Sequence, residues 1–198
     1  MDVTDDLTDD VHTMSMPITR LPLTGSVTIG VSIDIPSPWF EQLQAWRAEF
    51  GDERAWAIPP HVTLLPPTDV DLGSSDLVEK HLAQVAARAQ PFRLRLSGTG
   101  TFRPVSSVVF VKVVHGAPSC DLLQQRVRTG PLVRELAFPY HPHVTVAHDL
   151  ADPALDRALA DLADFECSFL VDSFVHYEHG PDGVWRPKRR YDFGGAGG

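Results

Sequence analysis

One tetrapeptide occurs twice in this chain, as Pro60-His61-Val62-Thr63 and as Pro142-His143-Val144-Thr145. A shuffled chain of the same composition would carry it about 0.005 times, and His-x-Thr alone roughly half a time. In a β-strand, residues two apart face the same side. In each copy, then, His and Thr project together and the valine turns into the core. The surroundings of the two copies also agree. Residues 26–35 alternate apolar and small or polar side chains, as a half-buried strand does. Ser37 and Pro38 suit the N-cap and first turn of a helix whose stripe is Trp39, Phe40, Leu43, Trp46 and Phe50, stopped by Gly51. Residues 61–65 read as a short strand ended by Pro66-Pro67. Ser75 and Asp76 open a second helix, and strand alternation resumes over 92–96. The second half repeats this order. It has a strand at 108–114, a helix from Pro118 that Gly130-Pro131 interrupts before it resumes over 132–136, and a short strand at 143–147. A helix from Asp152-Pro153, a strand at 169–177 and a last strand at 184–193 complete it.

Each half reads β-α-β-α-β with a His-Val-Thr on its second strand. The expected fold class is α+β, a bilobal pseudo-twofold duplication of β-α-β-α-β units. Mixed or antiparallel sheets would line a central cleft, with the helices outside. Residues 25–193 would form one domain, with lobes at about 25–103 and 104–193. Residues 1–24 would be a flexible acidic tail and 194–198 a flexible Gly-rich end.

Composition narrows the partners. The chain of 198 residues has 17 Lys plus Arg against 26 Asp plus Glu, a net charge of −9. That balance argues against coating long duplex nucleic acid, but leaves room for a local phosphate site. No stretch approaches the roughly 18 consecutive apolar residues of a membrane helix. The two cysteines, Cys120 and Cys167, form no CxxC pair. A reducing, cytoplasmic setting is expected, with neither disulfide framework nor zinc finger. Oligomeric state leaves no mark on the sequence.

Two His and two Thr converging on one cleft suit phosphoryl chemistry. Imidazole moves protons near neutral pH. A Thr hydroxyl donates to a phosphate oxygen without adding charge. One neutral His would take a proton from an attacking water or hydroxyl, and the other, protonated, would supply one to the departing oxygen. Such a site needs no metal and no other cofactor. Other residues bear on the same cleft. Arg103 is placed to reach a phosphate or to anchor a loop, Phe102 to stack a base, and Tyr140 to line the cleft or pack. His141 and His143 have a spacing that could chelate a metal, but zinc wants three or four ligands and no further donor sits at a telling spacing. His115, His176 and His179 fall at strand ends and turns, where they would be solvated. Arg186, Lys188, Arg189 and Arg190 form a basic run that either meets an RNA terminus or is a solvated strand face.

The segments PPHVTLLPP and YHPHVTVAH, with TGTFRPVSSVVFV between them, resemble the 2H phosphoesterase superfamily, in its 2′-5′ RNA ligase / 2′,3′-cyclic phosphodiesterase branch. The resemblance covers roughly residues 26–193 and includes both defining His-x-Thr motifs. It implies a bilobal fold and metal-independent opening of 2′,3′-cyclic phosphates at RNA ends or on small nucleotides, with His61, Thr63, His143 and Thr145 at the catalytic positions. Relatives often carry Arg shortly after the second motif. His148 holds that place here, as a substrate contact. Which His is the base, and whether a 2′- or a 3′-phosphate results, is left open by the residues. The alternatives are a non-catalytic RNA-end or nucleotide-binding protein using the same cleft, and a metal-dependent hydrolase built on His141 and His143.

Overall fold

A computed structural model describes residues 25–53 and 55–194. The described elements run β1 (Ser26–Asp34), α1 (Trp39–Glu49), β2 (His61–Asp71), α2 (Ser75–Ala87), β3 (Phe92–Thr101), β4 (Val108–His115), α3 (Ala117–Val127), β5 (His143–His148), α4 (Asp152–Asp161), β6 (Glu166–Val171), β7 (Ser173–His179) and β8 (Trp185–Asp192). The fold is α+β, as expected. Its eight strands form one sheet in the order β6-β3-β4-β5-β2-β1-β7-β8, and every neighbouring pair is antiparallel.

The sheet has two four-stranded halves that meet at a single bridge, Val62 opposite Val144. These halves do not coincide with the halves of the chain. β3 lies with β4, β5 and β6, while β7 and β8 return to pair beside β1. A lobe boundary near residue 103 therefore does not describe the sheet. The cause is local. The backbone of Phe102 bonds to Val108 and closes a tight β3–β4 hairpin, so the chain cannot change halves there. It crosses once between β2 and β3, over α2, and crosses back at Asp172, where the expected single strand over 169–177 breaks into β6, paired with β3, and β7, paired with β1.

Burial explains which face carries the helices. Val62, Leu64, Val109, Val111, Val144 and Val146 pack in one core with Leu43, Leu82, Val127 and Leu155 of the four helices, all of them buried. That face of the sheet is thereby closed by the apolar helix stripes. The opposite face, at the seam between the halves, is left for His61, Thr63, His143 and Thr145.

Several local expectations are corrected. β2 does not stop at Pro66-Pro67 but runs on to Asp71. Between the pairs Val31–Leu65 and Ile29–Thr68 the register shifts, so β2 carries an extra residue and the prolines sit in a bulge that tolerates their missing N–H. Ser37 does not cap α1; its hydroxyl bonds Glu41, and Pro38 holds the N-cap position. The stretch 132–136 is no helix. Only the 3₁₀ turn Gly130–Leu132 forms, and Val133 is exposed. His176, expected in solvent, is buried in β7, because it faces away from the cleft beside Ile29, Val70 and Val78. The expected acidic tail lies outside the described residues, as does all of the Gly-rich end except Gly194.

Candidate active site

The antiparallel bridge between Val62 and Val144 fixes the relation of the two motifs. Continued one residue to either side, an antiparallel register sets His61 across from Thr145 and Thr63 across from His143, which makes the two imidazoles diagonal neighbours across the seam. A local twofold axis runs through the valine pair. Each His-Thr pair stands on the open face because its valine is fully buried on the other.

The two rings are held alike. Nδ1 of His61 bonds the carbonyl oxygen of Pro59 at 2.7 Å, and Nδ1 of His143 that of His141 at 2.6 Å. A carbonyl only accepts, so in each case Nδ1–H donates, and in the neutral ring Nε2 keeps its lone pair. In the first motif that lone pair accepts from the Thr63 hydroxyl at 3.1 Å. Burial lowers the pKa of His61 below the ordinary imidazole value, the Pro59 carbonyl offsets part of this, and the positive charges of Arg47 and of His143 add to the lowering. The pKa of His143 is lowered too, chiefly by burial; the His141 carbonyl offsets part of this, and the charge of His141 adds to the lowering. Both rings are therefore biased toward the neutral, proton-accepting form.

Beside the seam the open face hollows into a cleft of about 630 Å³ whose lining includes His61, Thr63, Thr145 and His148, while His143 is not part of that lining. Two further polar groups sit in its wall. The Arg47 guanidinium is held by the Ile58 carbonyl and by Asp52 at 3.2 Å. The Tyr177 hydroxyl donates to the Asp34 carboxylate at 2.9 Å. Burial raises the pKa of Asp34, and the Tyr177 hydroxyl counters part of that rise.

Residues 35–183 match the family model described as the 2'-5' RNA ligase superfamily. The chain belongs to that superfamily. Its relatives include a Bacillus cytotoxicus protein named "Putative phosphoesterase", 32% identical over 119 residues, covering 59% of this chain and 69% of the relative. A Bacillus mycoides protein of the same designation is 27% identical over 139 residues, covering 69% and 80%. Among solved structures, Escherichia coli LigT in complex with NADP+ superposes with a TM-score of 0.63 at 23% identity, over 85% of this chain and 99% of LigT. The Thermus thermophilus protein TT0787 gives a TM-score of 0.63 at 21% identity, over 86% and 100%. At these identities the two structures speak for the fold, which is that of the 2H phosphoesterases.

The other candidate residues divide between the cleft and its supports. Arg103 does not line the cleft. Its guanidinium reaches Asp156 at 2.6 Å and Asp152 at 3.4 Å and pins the β3–β4 hairpin to α4, which corrects its reading as a phosphate contact in favour of the loop anchor. Phe102 packs among the rings beside the second motif. It meets the His143 ring edge-on, 5.0 Å between centroids, and lies 4.5 Å from Phe110. Tyr140 does not line the cleft either; its hydroxyl donates to the Thr63 carbonyl at 2.9 Å and ties the approach to the second motif onto the first. His148 does line it, beside Asp149 at 3.4 Å. His141 supplies the carbonyl that holds His143. Among the described residues, no group of three or more His, Cys, Asp or Glu could hold a metal ion. The basic run on β8 is spent on Asp182, Glu178, Glu79, Asp172 and Asp192. Arg47, Tyr177 and Trp185 carry no sequence signal as cleft residues. Tyr177 and Trp185 arrive through the pairing of β7 and β8 beside β1, and Arg47 through the packing of α1.

Proposed function

We propose that this protein opens 2′,3′-cyclic phosphates on nucleotides or at RNA ends by two-histidine acid/base catalysis without a metal ion. The observation that carries the reading is the matched pair of imidazoles, each tied through Nδ1 to a carbonyl two residues earlier and standing diagonally across one seam. One neutral His takes a proton from water through Nε2. The water oxygen forms a bond to phosphorus, and the bond from phosphorus to the ribose O2′ or O3′ breaks. The second His, protonated, gives its proton to that departing oxygen. Atoms and charge balance as cyclic diester plus water giving a phosphate monoester. Thr63 and Thr145, facing the same space, donate to the phosphoryl oxygens, where charge accumulates. The negative phosphate also supplies a counter-charge that favours protonation of one ring. Nucleotide binding by a protein of this fold supports the substrate class, since LigT has been crystallised with 3'-AMP and with ATP.

The test is a panel of nucleoside 2′,3′-cyclic phosphates and an oligoribonucleotide ending in one, assayed with and without EDTA, with products assigned as 2′- or 3′-phosphates. Turnover that EDTA leaves unchanged is expected. Loss of activity in EDTA that added metal restores would overturn the metal-free mechanism, and tight binding without turnover would favour a nucleotide sensor.

A further inference from the structure

The cleft is not symmetric about the seam, although the motifs are. Among the described residues, its wall is built by β1, β2, β7 and β8 together with α1 and the segment that follows it, and from beyond the seam come Thr145, His148, Asp149 and Leu150. On the first side lies a half-buried tryptophan, Trp185, at the start of β8. Its indole rests directly on the backbone of Gly30. A Cβ built at Gly30 would stand 3.1 Å from Cζ3 of Trp185, tighter than an ordinary contact. Glycine at position 30 therefore lets the ring lie down along the cleft wall. The backbone N–H of Trp185 donates to the Ala57 carbonyl at 2.9 Å, and the His179 ring lies 4.9 Å away, so the residue is held from two further directions. Leu65, Pro67 and Ile58 continue this apolar wall.

The charges in the same cleft disfavour a polyphosphate. Among the described lining residues the carboxylates are Asp52, Glu53 and Asp149, whereas Arg47 is the one Lys or Arg, and it is already paired with Asp52. Among the described lining residues, a second phosphate would meet more carboxylates than Lys or Arg side chains. The volume of about 630 Å³ lies within the range that encloses one small ligand.

We infer that the Trp185 side of the cleft is a nucleoside seat: the base lies against the indole, and the favoured substrate is a mononucleoside carrying only the phosphate held between His61 and His143. This deepens the proposed cyclic-phosphate reaction and rests on it for the position of that phosphate. It predicts discrimination of two kinds. Stacking supplies affinity through any base, of the order that a single aromatic platform contributes. Charge repulsion disfavours a nucleotide bearing an additional 5′-phosphate, and salt weakens that repulsion.

The test compares a nucleoside 2′,3′-cyclic phosphate, its 5′-phosphorylated form and base-free ribose 2,3-cyclic phosphate in the wild type and in Trp185→Phe and Trp185→Leu. Trp185→Leu is expected to raise KM for the nucleoside substrate about tenfold, to leave the base-free substrate unchanged, and to be largely rescued in Trp185→Phe. The 5′-phosphorylated substrate is expected to have a kcat/KM about tenfold lower, with the gap narrowing in high salt. Equal losses on the nucleoside and base-free substrates would reduce Trp185 to a structural role, and equal or better use of the 5′-phosphorylated substrate would overturn the charge argument. Calorimetric binding of nucleoside 3′-phosphate, nucleoside 3′,5′-bisphosphate and ribose 3-phosphate to the same proteins reads the same two preferences without turnover. If no cyclic phosphate is opened but these preferences hold, the seat stands and the proposed reaction fails; if binding shows neither preference, the seat itself is wrong.

Discussion

At the scale of single residues, the proposal turns on how two imidazoles share a proton. Burial lowers both pKa values, and the charges of Arg47 and the facing ring lower that of His61 further. The reaction needs one ring protonated and one neutral, so the rate is greatest between the two macroscopic pKa values of the pair. With both values below the ordinary 6.5, kcat/KM is expected to follow a bell whose maximum lies on the acid side of pH 6.5. A pH–rate profile checks this; a maximum above pH 7 would mean that neither ring is shifted as burial dictates. The His-x-Thr pairs were legible in the sequence because a two-residue strand period puts both side chains on one face whatever the tertiary fold. The carbonyls of Pro59 and His141 were not. They come from backbone just ahead of each strand, and no side-chain pattern marks a carbonyl. Phe102 shows the opposite failure: an aromatic near a site reads equally as a base platform or as packing, and only its edge-on contact with His143 separates the two.

At the scale of elements, the seam between β2 and β5 is one bridge wide, so other contacts must hold the motifs in register. Tyr140 is one of them. Its hydroxyl spans from the segment before β5 to the Thr63 carbonyl, and burial pushes its pKa well above the usual phenol value, keeping the proton on the donor. Tyr140→Phe removes that donor and leaves the ring. It is expected to cost about 1 kcal/mol in stability, read by denaturant unfolding, and to lower kcat more than it raises KM. An unchanged kcat would separate this bond from positioning. Most strands and all four helices were legible from periodicity and end signals. The exceptions share a cause. Pro66-Pro67 marks a bulge rather than an end, and the break at Asp172 falls inside an apolar run, because in both places a strand's limits are set by its pairing partners, which are distant in sequence.

At the scale of the whole molecule, the chain's halves and the sheet's halves differ. β7 and β8 cross back to flank β1, and so bring Tyr177 and Trp185 to a cleft whose motifs lie elsewhere in the sequence. Periodicity fixes which residues face a core but not which strand lies beside which, so this part of the cleft is invisible without the topology. Burial of histidines has a global consequence as well. His61, His143 and His176 all have pKa values lowered mainly by burial, and neither ring nitrogen of His176 has a hydrogen-bond partner. Between the folded and unfolded pKa values the unfolded chain binds more protons, so stability rises with pH there. The contribution is full above about pH 6.5 and is lost as pH falls toward the lowered values. The thermal midpoint is expected to drop between pH 7 and pH 5, and His176→Phe to flatten part of that drop. A midpoint that rises on acidification would contradict the sign.

The proposed reaction requires His61 and His143 to divide the work of one proton-transfer pair. Its most direct measurement is the turnover of a nucleoside 2′,3′-cyclic phosphate by His61→Ala and His143→Ala, with circular dichroism confirming the fold of each. Each variant is expected to lose about 10² to 10⁴ in kcat. A folded variant of either histidine that retained most of the wild-type rate would contradict it.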